Sequence, residues 1–161
     1  MIIREVKSED IPRLTEIYNY YVLNTCVSFE ESAVTESEFA ARVSRIKKSY
    51  PYLVAEENGK AVGYAYLDIF NARTAYRFTA DLSIYFDKDF SGHGAGSVIY
   101  DKIEAAAKDM GLKNIISIIT EGNEPSLKFH AKHGFLKVGE LKNVGLKFGK
   151  TLSVTYMQKE I

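Results

Sequence analysis

The sequence predicts an α+β domain built on a single mixed, mostly antiparallel sheet flanked by about four helices. Three observations carry that reading. Runs at Tyr52–Glu56, Ala61–Ile69, Phe78–Phe86 and Asn114–Thr120 alternate or are β-branched in the manner of strands. Asn58-Gly59 joins the first two as a tight hairpin, which forces them antiparallel. Between Phe86 and Asn114 lies a helical stretch long enough to carry the chain over the sheet and back parallel. With 161 residues the chain is the size of one domain, 1–161, large enough to bury a core.

The elements follow in order. Ile2–Val6 is a short strand. Ser8, with Glu9 and Asp10 behind it, is placed to cap a helix whose apolar face is Ile11, Leu14, Tyr18 and Tyr21 and which ends near Asn24. Residues 25–34 are irregular. Thr35-x-x-Glu38 is a capping box for a second helix with Phe39, Val43 and Ile46 inward, stopped by Pro51. The hairpin follows, then a polar link from Asn71 to Arg77 and the strand Phe78–Phe86. In the next helix Ile99, Ile103, Ala106 and Met110 are spaced four, three and four, one helical face, and Gly111 suits its C-cap. Pro125 sits in the first turn of a fourth helix that Gly134 ends. Phe135 returns to strand, Val144–Gly149 reads as turns, and Leu152–Met157 closes the sheet.

Composition narrows the function classes. Lys plus Arg and Asp plus Glu are 21 each, so no basic excess points to nucleic acid. Cys26 is the only cysteine and has no intrachain partner, which suits a reducing, cytoplasmic compartment. No apolar run reaches membrane-spanning length, and the charged start MIIREVKSED is unlike a signal peptide.

The most informative stretch is Leu82–Met110: a strand, then DKDFSGHGAGS, then a helix. Gly92, Gly94 and Gly96 let backbone N–H groups face one point with a helix dipole behind them, an arrangement that binds a phosphate or pyrophosphate. The alternative is a plain tight turn. A P-loop requires Lys-Ser/Thr after the last glycine, and Gly96 is followed by Ser97-Val98; the GxGxxG spacing of dinucleotide folds is absent too.

Taken with further motifs, the loop resembles a known family. Gly92-His93-Gly94-Ala95-Gly96-Ser97 after a strand, Asn123-x-x-Ser126-x-x-Phe129-His130 and Gly134-Phe135 resemble the GCN5-related N-acetyltransferases. Tyr18-Asn19-Tyr20-Tyr21-Val22, Ser28-Phe29-Glu30, Ala75-Tyr76-Arg77-Phe78-Thr79 and Val144-Gly145-x-Lys147-Phe148-Gly149 are similar to its phosphinothricin and methionine sulfoximine acetyltransferase branch. The resemblance implies a sheet splayed between Phe78–Phe86 and Asn114–Thr120, with acetyl-CoA in the splay. It places the pyrophosphate at Gly92, His93, Gly94, Ala95, Gly96 and Ser97. Pantetheine then lies along the backbone of Ile84, Tyr85 and Phe86, and Asn123 bonds the cofactor. The acceptor implied is the amine of a small amino-acid-like molecule, held near Phe29 and Glu30 and the link Arg73, Thr74, Ala75, Tyr76 and Arg77. A homodimer is implied as well. Ser91 stands where the family has Arg or Gln, Asp81 where the branch has Glu, and Thr151-Leu152-Ser153 where it has Trp-Leu-Asp.

Acetyl transfer to an amine needs a proton acceptor for the ammonium and a proton for the leaving thiolate. Asp81, on the cofactor strand, is the candidate for the first, against a solvent-facing or Arg77-paired carboxylate. His130, seven residues after Asn123, is the candidate for the second, against a helix histidine simply bonded in place. Arg73 and Arg77 are suited to an acceptor carboxylate or phosphinate, and Glu30 to an ammonium. His93 faces solvent or phosphate, His133 complements a helix C-terminus, and three histidines without ligand spacing give no metal site. Competing readings are a polyamine, an aminoglycoside or a protein N-terminus as acceptor, and a CoA-binding module without turnover.

Overall fold

One seven-stranded sheet, with helices on both faces, runs through the protein; the computed structural model describes residues 1–90 and 94–161. The strands are β1 (Ile2–Glu5), β2 (Tyr52–Glu57), β3 (Lys60–Ile69), β4 (Thr79–Phe86), β5 (Asn114–Thr120), β6 (Leu136–Lys147) and β7 (Lys150–Glu160). The helices are α1 (Ile11–Asn24), α2 (Glu36–Lys47), α3 (Ala95–Asp109) and α4 (Glu124–Lys132). Spatial order is β1-β2-β3-β4-β5-β7-β6, and every neighbouring pair is antiparallel except β4 and β5, which α3 connects.

Local chemistry sets most boundaries. Asn58 and Gly59 both have positive φ (51° and 76°), as the predicted hairpin turn demands. Thr35 Oγ1 accepts from the Glu38 amide while the Glu38 carboxylate accepts from the Thr35 amide at 2.7 Å, so the α2 capping box is complete. Ser8 does not cap α1. It opens a short 3₁₀ turn, Ser8–Asp10, and the Asp10 carboxylate binds Arg4 through two 2.7 Å bonds and accepts from the Lys7 amide at 2.8 Å. The final hairpin turns only at Phe148-Gly149, so β6 runs through residues that read as turns from sequence.

The two sheet faces have different cores. One carries Ala55, Ala65, Leu67, Ala80, Leu82, Ile115 and Ile119 beneath Ile99, Tyr100, Ile103 and Ala107 of α3. The other carries Tyr52, Val54 and Tyr64 beneath Leu14 and Ile17 of α1 and Phe39, Val43 and Ile46 of α2. The inward face of α3 is thus rotated from the predicted one: Ala107 replaces Ala106, and Met110, just past the helix, is 45% exposed. The α1 face shifts likewise, with Leu14, Ile17 and Val22 buried and Tyr18 and Tyr21 half-buried. No described helix is long and apolar enough to cross a membrane.

Ile103→Ala should lower unfolding free energy by about 2–5 kcal/mol, because a fully buried aliphatic side chain leaves a cavity. Met110→Ala should change it by less than about 1 kcal/mol, as exposed positions do. Urea titrations of both variants separate the observed face from the sequence-derived one.

Candidate active site

The parallel pair β4–β5 is short. Thr79, Ala80 and Asp81 align with Asn114, Ile115 and Ile116, and beyond them the strands diverge to Phe86 and Thr120 without pairing. Along the same stretch β4 remains paired with β3 as far as Gly63↔Phe86. The Asp87 amide donates to Val62 O at 2.8 Å, which fixes the alternation: Tyr85, Ser83 and Asp81 direct their backbone bonds to β3. Ile84 and Phe86 direct theirs into the splay. The expected cofactor-facing backbone of Ile84 and Phe86 is therefore exposed there, whereas that of Tyr85 belongs to the β3 ladder. Tyr21 Oη donates to Phe86 O at 2.6 Å and holds α1 to this strand end.

At the mouth of the splay stands the N-terminus of α3. Gly94, its N-cap, has φ 69°, and no side chain caps the helix; no acidic residue occupies its first turn. A Cβ on Gly96 would lie 3.1 Å from the Phe129 ring, so α3 and α4 pack closely through this position. Ala95, Gly96 and Ser97 thus present a first helical turn suited to an anion. Ser91, Gly92 and His93 lie outside the described residues. Asn123 caps α4, its Oδ1 accepting from the Ser126 amide at 3.3 Å. Its amide nitrogen has no partner among the described residues and is free to donate to a ligand.

On the α1/α2 face, residues 25–34 cross from α1 to the far hairpin and cover the splay. The crossing is held at both ends. Ser28 Oγ lies 3.0 Å from Tyr18 Oη, Glu30 accepts from Tyr18 at 2.5 Å, and Arg42 grips Glu30 through bonds of 2.8 and 2.6 Å. Arg42 and Tyr18 hold the Glu30 carboxyl below its usual range, and its charge is thereby matched. A carboxylate so engaged is a strut and not the ammonium receptor the sequence reading put forward. At the other end Lys147, only 1% exposed, donates from Nζ to Ser28 O at 2.6 Å. Gly145 admits the Phe29 ring where any Cβ would collide. Burial pulls the Lys147 ammonium below its ordinary value. The Gly145-x-Lys147 motif was visible in sequence, but strand alternation says nothing of a lysine reaching a carbonyl 119 residues away.

Asp81 points to this same face, since its neighbours Ala80 and Leu82 pack into the opposite core. Its Oδ1 is buried without a hydrogen-bond partner, and Asp81 stands directly opposite Asp68 of β3 in the β3–β4 ladder. Burial, with the Asp68 charge second, pushes its carboxyl up to about 7. That value suits a proton acceptor working near neutrality. The solvent-facing and Arg77-paired alternatives do not match this geometry.

His130 is buried between α4 and β5. Nδ1 donates to Ser126 O at 2.8 Å, and Nε2 lies 2.9 Å from Ser117 Oγ, a tautomer assigned from the acceptor it faces. Burial lowers its pKa, so the ring is neutral and Nε2 accepts from Ser117. The histidine advanced as a proton donor is here a fully bonded group without a spare proton. Ser117 went unnoticed in the sequence because strand serines carry no pattern of their own. His133 does complement a helix end, its Nδ1 2.9 Å from Phe129 O. Arg73, Thr74, Ala75, Tyr76 and Arg77 form an exposed turn leading into β4. Arg77 donates to Thr74 O and stacks on Phe78, and neither Arg73 nor Arg77 forms an ion pair among the described residues.

A parallel pair that opens into a splay, with an uncapped helix terminus at its mouth, is the arrangement that the resemblance to the GCN5-related N-acetyltransferases implies. Residues 3–154 match the model of the acetyltransferase (GNAT) domain, and the chain belongs to that family. It is 37% identical to phosphinothricin N-acetyltransferase of Alcaligenes faecalis, over 99% of this chain and 82% of that protein. It is 32% identical to the L-methionine sulfoximine/L-methionine sulfone acetyltransferase of Salmonella typhimurium, over 100% and 95% of the two chains. The crystal structure of a GNAT superfamily phosphinothricin acetyltransferase from Sinorhizobium meliloti in complex with acetyl-CoA superimposes with TM-score 0.95 at 34% identity, covering 99% and 88%. The protein is an N-acetyltransferase, and acetyl-CoA is its co-substrate.

The raised pKa of Asp81 has a stability signature. In the unfolded chain an aspartate ionises near pH 4, so between about 4 and 7 the folded state keeps a proton that the unfolded state releases. Stability from this group therefore falls as pH rises across that window. Asp81→Asn should melt at a higher temperature than wild type above pH 7, and the difference should vanish near pH 4 in thermal scans.

Proposed function

We propose that this N-acetyltransferase acts on the α-amino group of a small amino-acid-like acceptor, transferring the acetyl group directly while both substrates are bound. The observation that carries this is Asp81: a shielded carboxyl with one unbonded oxygen, on the acceptor face of the strand whose backbone opens into the splay. The relatives' names, which specify phosphinothricin and methionine sulfoximine or sulfone, support the acceptor class.

The roles follow from position. The first turn of α3, with Gly94, Ala95, Gly96 and Ser97, receives the cofactor's pyrophosphate, and Gly92 and His93 belong to the same loop by sequence. Ile84 and Phe86 bond the pantetheine arm, and Asn123 adds a side-chain contact. Bound there, acetyl-CoA supplies an activated acyl carbon. Asp81 takes the proton that the acceptor ammonium must lose before its nitrogen can attack. Arg73 and Arg77, unpaired and next to β4, bind the acceptor's carboxylate. Phe29 and the Glu30 strut shape the wall opposite. His130 is a positioning residue that fixes Ser117 and α4, and solvent protonates the departing thiolate.

Two copies associate through β6, whose exposed Leu136, Val138, Val144 and Leu146 form an apolar sheet edge. The unpaired Cys26 fits a reducing, cytoplasmic setting.

Thiol release measured with amino acids, polyamines, aminoglycosides and peptides should show turnover confined to amino-acid-like amines; turnover of another class alone would overturn the reading. Asp81→Asn should lower kcat by about a hundredfold or more and remove a pH limb near 7. Acetyl-CoA should raise the melting temperature of wild type by mass action, and Gly94→Asp, which sets a side chain and a negative charge at the helix terminus, should abolish that rise. An undiminished rise in that variant would remove the turn from the cofactor site.

A further inference from the structure

Asp81 has a counterpart on the neighbouring strand. In the β3–β4 ladder Asp68 is aligned with it, in the same alternation that aligns Tyr66 with Ser83 and Tyr64 with Tyr85. Directly opposed residues of an antiparallel pair put their side chains on one face with Cβ atoms about 5 Å apart, and like charges so placed repel. The two carboxyls differ in what meets them. Asp68 is clamped from α2: Arg45 donates to its Oδ1 at 2.9 Å and to its Oδ2 at 2.6 Å, and the Ile69 amide donates to Oδ1 at 2.8 Å. Asp81 Oδ1 is buried and unbonded.

Among the described residues, Asp68 is the charged group that acts on Asp81. On β4 the same-face neighbours of Asp81 are Thr79 and Ser83, and on β5 it aligns with Ile116. On β3 Tyr66 flanks Asp68, and burial keeps that phenol protonated. Of the nearby cations, Arg42 is taken by Glu30, Arg77 is stacked on Phe78, and Arg45 reaches the ladder through Asp68. Against burial, which would raise it, the Arg45 clamp holds Asp68 below the usual carboxylate range. Asp68 therefore carries its charge, while Asp81, raised by burial first and by Asp68 second, keeps its proton up to about 7. Environments that push two carboxyls apart in this way assign one to a fixed charge and the other to proton transfer. How strongly Asp68 repels depends on Arg45, whose guanidinium offsets part of the carboxylate's field.

We propose that Asp68 and Arg45 act as a charge-setting pair for Asp81, the Asp68 carboxylate making it a stronger base and the Arg45 guanidinium limiting by how much. Neither touches the reacting atoms, and both are positioning residues. The inference rests on the reading of Asp81 as proton acceptor and adds to it the two groups that tune that step. One helix then serves the site twice, anchoring the crossing segment through Arg42 and adjusting the base through Arg45.

The test follows the Asp81 carboxyl carbon by NMR in protein labelled with carbon-13 aspartate, the signal being assigned by its loss in Asp81→Asn. The pH dependence of kcat, with methionine sulfone as the probe acceptor, is measured beside it. Asp68→Asn keeps an acceptor for the Ile69 amide and should lower both the titration midpoint and the pH limb by about half a pH unit or more. Arg45→Gln should raise both, and Arg45→Lys, which restores the charge without the fork, should fall between it and wild type. In the Asp68→Asn background Arg45→Gln should add no further rise, because it acts through the group already removed. The KM for acetyl-CoA should stay near the wild-type value throughout. A midpoint unmoved in both single variants, or moved the same way in both, overturns the proposal; a limb near 7 that Asp81→Asn removes then leaves Asp81 standing as the base. Midpoints that move in opposite directions beside a pH profile that Asp81→Asn leaves intact uphold the coupling and overturn the proton-acceptor reading instead.

Discussion

Everything in this protein follows from how little β4 and β5 share. Three aligned residue pairs join them at Thr79–Asp81, and past that point each strand keeps its outer partner while losing the inner one. Backbone donors and acceptors inside a sheet are normally consumed by the ladder, and leaving them unpaired is unfavourable unless something else bonds them. The divergence leaves the Ile84 N–H and C=O and the Phe86 N–H without a ladder partner, an edge in the middle of the sheet, while Phe86 O accepts from Tyr21. An extended, amide-bearing ligand arm is complementary to such an edge in the way an added strand would be.

The divergence must also be held open. On one face α3 and α4 do this, packed so closely at Gly96 and Phe129 that a methyl group between them would be crowded. His130 contributes by tying α4 to β5 through Ser117. On the other face the crossing segment after α1 is anchored to α1 and α2 by Tyr18 and Arg42 and to the last hairpin by Lys147. These anchors span both sides of the opening. The wall on this face is therefore set by the spacing of the two halves of the sheet and not by the loop's own sequence.

Electrostatics on the α1/α2 face are economical. Glu30 and Asp68 are each paired with an arginine, while Asp81 is left without a cation and responds by holding its proton up to about neutral pH. A carboxyl paired with arginine would be a weaker base; an isolated one in a shielded place is a better proton acceptor. The face thus leaves one carboxyl unmatched and neutralises the others.

Much was legible in the chain itself. Hairpin chemistry at Asn58-Gly59, the Thr35–Glu38 capping box and the β-branched run Asn114–Thr120 act through neighbours in sequence, so their elements emerged with nearly correct boundaries. The glycine-rich stretch ahead of α3 could be singled out by its glycines, and Asn123 and Asp81 through the family resemblance. The roles of Glu30, His130, Lys147 and Asp68 were not legible. Each depends on a partner contributed by a distant segment: Arg42 for Glu30, Ser117 for His130, Ser28 for Lys147, and Arg45 for Asp68. Even the inward face of α3 needed the sheet beneath it, because a period of 3.6 allows Ala106 or Ala107 until a surface chooses. Local patterning determined which elements form and where the glycine-rich stretch lies. Long-range packing alone decided which polar groups are spent on structure and which are left for chemistry, because a side chain's partners are fixed only when the strands and the loop that crosses them come together.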